Sequence, residues 1–167
     1  MFTFHSTSIC DAQQVRELAS KIWEPTYRDI LPKEQLDYMF EMMYSEENII
    51  KQMNNGNMFF IAKESDKPVG YVSIEKKEEG VFIIQKLYAL PEMHGKGSGR
   101  FMVEQAISYI KKDLLTANFE IELYVNRQNP AVEFYKHIGF EEIATRDHHI
   151  GNGYYMNDYI MRLSVVL

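Results

Sequence analysis

The run Leu87-Tyr88-Ala89-Leu90-Pro91-Glu92-Met93-His94-Gly95-Lys96-Gly97-Ser98-Gly99-Arg100 constrains the fold more than any other stretch of the chain. An apolar strand enters a turn with three glycines, and an amphipathic helix leaves it. Glycines at alternate positions let the backbone take positive φ and leave the amide N–H groups unshielded. The first turn of the following helix adds unpaired N–H groups and the positive end of its dipole. Such a turn is built to receive a phosphate or pyrophosphate.

Spacing excludes two common phosphate sites. A Walker A loop needs a glycine five residues before its Gly-Lys pair, where Leu90 stands relative to Gly95-Lys96. A dinucleotide fingerprint needs Gly-x-Gly-x-x-Gly, and this turn reads Gly-x-Gly-x-Gly. The segment instead resembles the acetyl-CoA pyrophosphate turn of the GNAT superfamily of N-acetyltransferases, whose pattern is Arg/Gln-x-x-Gly-x-Gly/Ala. That pattern falls on His94 to Gly99, with His94 in place of the usual Arg or Gln.

A second segment, Asn129-Pro130-Ala131-Val132-Glu133-Phe134-Tyr135-Lys136-His137-Ile138-Gly139-Phe140, follows an alternating strand with Phe119, Ile121, Leu123 and Val125 on one face. Asn129 suits an N-cap, Pro130 the first helical position, and Gly139 the position just past the end. The order Asn, Pro-Ala, Phe-Tyr, Gly-Phe is also similar to the GNAT signature around its last helix. The resemblance implies that Tyr135 faces the thioester sulfur and protonates the leaving thiolate, and that residues near Asn129 meet the pantetheine arm. It implies cofactor contacts from Leu87, Tyr88, Ala89 and Leu90 on the strand and from Gly95, Lys96, Gly97, Ser98, Gly99 and Arg100 in the turn. The strand backbone around Tyr88 to Leu90 is the family's usual oxyanion donor. Many relatives carry a glutamate base where this chain has Gln85. Glu75, Glu24 or a water chain are the alternatives for that role.

The order of the remaining elements is that of one mixed α/β domain over residues 1–167. A strand spans residues 3–8, and a helix capped by Ser8 or Asp11 carries Val15, Leu18, Ile22 and Trp23. Further helices begin near Pro32 and Ser45. Strands cover residues 58–63, 68–74 and 81–90, a helix carries Met102, Val103, Ala106 and Ile110, and residues 154–165 close the sheet against residues 140–145. The resemblance implies the GNAT acyl-CoA N-acyltransferase fold, a mixed, mostly antiparallel central sheet flanked by helices.

Composition narrows the partners. A net charge of −6 argues against nucleic acid, which needs clustered Lys and Arg. No apolar run is long enough for a transmembrane helix and no signal-peptide layout opens the chain, so a cytoplasmic protein away from membranes is expected. The single Cys10 fits a reducing compartment. His148-His149 is a poor metal site, since adjacent residues on a strand face opposite sides, and no metal is expected.

The acceptor side is less defined. Trp23, Glu24, Tyr27, Asp29 and Tyr38 cluster near the first two helices, and Tyr154, Tyr155, Asn157 and Asp158 open the last strand. Aromatic faces with carboxylates form a cage for an amine. The same spacing also describes core aromatics beside a solvated acidic face, and the sequence leaves both open. Substrate contacts are expected from Trp23, Glu24, Tyr27 and Tyr154. These regions also resemble the bacterial polyamine-acetylating members. The implied reaction is direct acetyl transfer from acetyl-CoA to a primary amine, a polyamine or another small cationic amine, in a ternary complex. The alternatives are a protein N-terminal or lysine acetyltransferase and a non-catalytic acyl-CoA-binding module. A homodimer is compatible with either kind of enzyme.

Overall fold

The computed structural model describes residues 1–166. The elements run β1 (Phe2–Ser6), α1 (Ala12–Tyr27), α2 (Lys33–Tyr44), α3 (Glu46–Asn54), β2 (Met58–Glu64), β3 (Lys67–Glu78), β4 (Val81–Ala89), α4 (Ser98–Asp113), β5 (Phe119–Asn126), α5 (Ala131–His137), β6 (Glu141–Gly151) and β7 (Tyr154–Val165). One seven-stranded sheet has the order β1-β2-β3-β4-β5-β7-β6. Every neighbouring pair is antiparallel except β4 with β5. The expected mixed, mostly antiparallel α/β architecture is therefore present.

Strand alternation divides the core. Phe59, Ile61 and Tyr71 pack with Val15, Ile22, Trp23, Leu36 and Ile49 of α1 to α3. Phe60, Val72 and Ile74 face the other way, onto Val103, Ala106 and Ile110 of α4 and Val132 and Tyr135 of α5. Neighbouring residues on a strand point to opposite faces, so the run Phe59-Phe60-Ile61-Ala62 serves both layers.

Local signals account for the element ends. The Ser8 hydroxyl accepts from the Cys10 N–H and the Asp11 carboxylate accepts from the Ser8 N–H, a capping box that opens a short 3-10 turn leading into α1. The first strand ends at Ser6, two residues earlier than expected, because Ser8 is taken up by this cap. At α5, Asn129 Oδ1 accepts from the Ala131 N–H at 2.9 Å. Gly139, at φ 111°, and Phe140 close the helix with bonds to the carbonyls of Lys136 and Tyr135. This is a Schellman motif, and Phe140 packs back on the Tyr135 ring. The closing hairpin is longer than expected. β6 runs to Gly151 rather than ending near Thr145, and its exposed side chains carry no apolar alternation to mark its length.

Candidate active site

The site begins as a fault in the sheet. Along β3 and β4, Ile74 pairs with Ile84 and Ser73 with Lys86, so Gln85 is an extra residue, a β-bulge. The parallel pairing of β4 with β5 covers only Val81–Ile84 against Glu120–Leu123. Beyond it the strands part, and a cavity of about 900 Å³ opens between them. Leu87, Tyr88 and Ala89 line one wall, Tyr124 and Val125 another, and the glycine turn and the start of α5 the rest.

The turn has the conformation its glycines allow. Gly95 and Gly97 take φ of 79° and 86°, and a Cβ at either would meet nothing within 4 Å. The first helical bond of α4 runs from the Phe101 N–H to the Gly97 carbonyl. Among the described residues, the N–H groups of Ser98, Gly99 and Arg100 have no backbone acceptor. They are the orphan donors of a helix start, and they edge the cavity. Gly99 has a different role from Gly97: a Cβ there would lie 2.9 Å from Phe134 Cζ, so its small size lets α4 pack against α5.

Not every expected contact residue faces this space. The Leu90 N–H donates to the Val69 carbonyl at 2.8 Å and the Lys96 N–H to the Met93 carbonyl at 3.2 Å. Neither residue lines the cavity, whereas Asn129, His94 and Tyr135 do. Tyr135 is 6% exposed, and among the described residues its hydroxyl has no hydrogen-bond partner. Burial pushes its phenol up, so it stays protonated and available as a donor.

A second cavity, of about 80 Å³, lies against α1, α2 and the β6–β7 hairpin. Tyr27, Gln85, Tyr88 and Tyr124 line both cavities, so the two adjoin at these side chains. The hydroxyls of Tyr27 and Tyr88 bond each other at 2.9 Å, and burial raises both phenols.

The expected acceptor residues separate here. Trp23 is 4% exposed, with its indole N–H on the Leu36 carbonyl, and it borders the small cavity from within the core. Tyr27 lies at the junction. Glu24 is exposed and the Tyr154 ring lies tilted against Tyr38, and neither lines either of the two cavities. Tyr38 donates to the Ile150 carbonyl, tying α2 to the hairpin. Of the alternative bases, Glu75 accepts from Gln85 Nε2 at 2.5 Å and from Asn57 Nδ2 at 3.1 Å, and it too borders neither cavity.

Two buried charged residues border the small cavity: Lys86, outside the expected site, and Asp158, one of the cluster expected on the acceptor side. Lys86 is 7% exposed, with Nζ on Gln52 Oε1 and over the faces of Phe59 and Tyr44. Burial lowers its pKa to about 8, partly opposed by Glu75. Asp158 is 3% exposed and accepts from Arg146 Nε at 3.0 Å. Burial raises its carboxyl above the ordinary range even beside Arg146.

Residues 27–163 match the acetyltransferase (GNAT) domain. The chain belongs to the GNAT family. It is 38% identical over 93 residues to an uncharacterized N-acetyltransferase of Methanocaldococcus jannaschii, a stretch covering 50% of this chain and 39% of that protein. It is 34% identical over 85 residues to the peptidyl-lysine N-acetyltransferase YjaB of Escherichia coli, covering 50% of this chain and 49% of that protein. The matches thus span half or less of either relative. The fold of this GNAT domain is also that of the PaiA N-acetyltransferase from Thermoplasma acidophilum in complex with coenzyme A, with a TM-score of 0.78, 24% identity, and 97% and 98% of the two chains covered. Among the described residues no helix is long and apolar enough to cross a membrane, and no group of three or more His, Cys, Asp or Glu is placed to hold a metal.

Proposed function

We propose that this protein transfers an acetyl group from acetyl-CoA to a primary amine, by direct attack while both are bound. The observation that carries this reading is the junction of two cavities at Tyr27, Gln85, Tyr88 and Tyr124. The large cavity has the shape and donors for an acyl-CoA. Free N–H groups at the start of α4 suit the pyrophosphate, and the open space over Gly95 and Gly97 admits it. The groove between the parted strands suits the pantetheine arm, beside Asn129. The related fold that holds coenzyme A supports this assignment.

The chemistry then falls to residues at the junction. Leu87, Tyr88 and Ala89 of β4, past the bulge, line the groove, and their backbone is the donor for the negative charge that develops on the carbonyl oxygen. Tyr135, held neutral by burial, donates its proton to the leaving thiolate. The acceptor enters the small cavity, whose volume suits a slender alkyl amine. Among the described residues its lining holds one carboxylate, Asp158, against two cations, Lys86 and Arg146. Asp158 offers the acceptor nitrogen a hydrogen-bond acceptor there, and the second charge of a polyamine would find no further carboxylate. A lysine side chain has the same slender form, and the name of the Escherichia coli relative favours it as a second reading. Gln85 cannot act as a base, so the amine's proton leaves by another group or by water.

Release of free CoA from acetyl-CoA, followed with n-butylamine, spermidine and a lysine-containing peptide, tests the reading. The expected result is amine-dependent release, greater for n-butylamine than for spermidine. Binding of acetyl-CoA with no amine-dependent release would make the protein an acyl-CoA-binding module instead.

A further inference from the structure

Resting on the reading of the small cavity as the acceptor's, we propose that Asp158 receives the acceptor nitrogen, its free carboxylate oxygen accepting a hydrogen bond from the amine. Asp158 sits on β7 opposite Asn126 of β5 and Arg146 of β6, in the middle of three paired strands. Asn126, Arg146 and Asp158 all border the cavity. A carboxylate 3% exposed in such a place needs a partner for each oxygen. Arg146 Nε takes Oδ2 at 3.0 Å, and Oδ1 has no hydrogen-bond partner among the described residues. Oδ1 is also absent from the buried atoms that lack partners, so it retains contact with open space.

The rest of the arrangement keeps that oxygen available. The Arg146 guanidinium lies 3.7 Å from the centroid of the Tyr124 ring, so it is held by stacking as well as by the ion pair. Tyr124 lines both cavities, and the Asp158 charge is felt at Tyr27, which also lines both. An amine on Oδ1 is thereby placed on the acceptor side of the shared wall. Lys86, the other buried charge of the cavity, is turned to Gln52 of α3 and to the Phe59 and Tyr44 rings. That leaves Asp158 as the only anionic group bordering the small cavity among the described residues.

The test titrates n-butylamine and n-butanol into the folded protein saturated with CoA, followed by NMR, so that it does not depend on turnover. The wild type is expected to bind n-butylammonium at least tenfold more tightly than n-butanol. Asp158→Asn, which keeps the shape and a carbonyl oxygen for Arg146, is expected to lose that preference while binding CoA as the wild type does. A wild type with no preference for the amine, or a variant that keeps it, overturns the assignment. The wild-type comparison decides even where the variant fails to fold. Amine binding without any acetyl transfer would instead sink the catalytic reading and leave this site standing.

Discussion

Tyr135 shows how packing suits one side chain to the acid role proposed for it. The phenol lies in the core face shared by α4 and α5, against Phe134 and Phe140, yet borders the large cavity. Its ring is held by packing, and among the described residues its hydroxyl has no hydrogen-bond partner. Tyr135→Phe keeps the packing and removes only the proton. Turnover is expected to fall roughly ten- to a thousandfold, the span of a general acid step and somewhat below it. A thiol pKa of about 8.5 makes the thiolate a fair leaving group and favours the lower end. The Michaelis constant for acetyl-CoA should stay within about twofold. Steady-state kinetics check both, and full turnover would make the tyrosine a packing residue.

At the scale of elements, the unit that matters is β4, the glycine turn and α4. Its glycines do separate work. Gly97 holds a left-handed backbone facing open space, while Gly99 makes room for Phe134. A β-branched residue at φ 86° is strained by about 1–2 kcal/mol, and relief of that strain re-aims the amides behind it. Gly97→Val is therefore expected to weaken acetyl-CoA at least tenfold in a protein that still folds. Calorimetry on the variant, with circular dichroism to confirm the fold, measures this. Unchanged affinity would remove the turn from the binding site.

At the scale of the whole molecule, Lys86 is a buried charge that the fold carries at a cost. Its pKa falls from 10.5 to about 8 in the folded protein, so the unfolded chain binds the extra proton between those values. Below about pH 8 the lysine is charged in both states and the full penalty applies, up to about 3 kcal/mol less what the Phe59 and Tyr44 faces return. From pH 8 to 10.5 the penalty fades. Lys86→Met should therefore be more stable than the wild type at pH 7, by a margin that shrinks as pH rises through this window. Paired denaturant titrations at pH 7 and pH 10 give the two differences. A margin that is absent or grows with pH would show that Lys86 is not a destabilising charge.

The family resemblance points Tyr135 at the cofactor, while local order of residues was enough to place the glycine turn, the capped helix α5 and the α/β class. Each depends on contacts a few residues apart: orphan amides after a positive-φ glycine, an Asn-Pro start, a Gly stop. Pairing between distant strands decided the rest. The bulge at Gln85 exists only against Ser73 and Ile74, and it parts β4 from β5 to make the groove. The Leu90 amide was spent on Val69, which no local pattern shows. Trp23 and Tyr154, alike as aromatics beside carboxylates, fell respectively within the core and against Tyr38. Lys86 reads as an ordinary strand charge until α3 covers it, and Asp158, one of the expected acceptor-side cluster, is buried and paired only because β6 brings Arg146 beside it. Burial and charge pairing are sums over the whole molecule, so the sequence by itself determined the glycine turn and the capped helix that carries Tyr135, while only the tertiary structure decided which charges and aromatics border the two cavities.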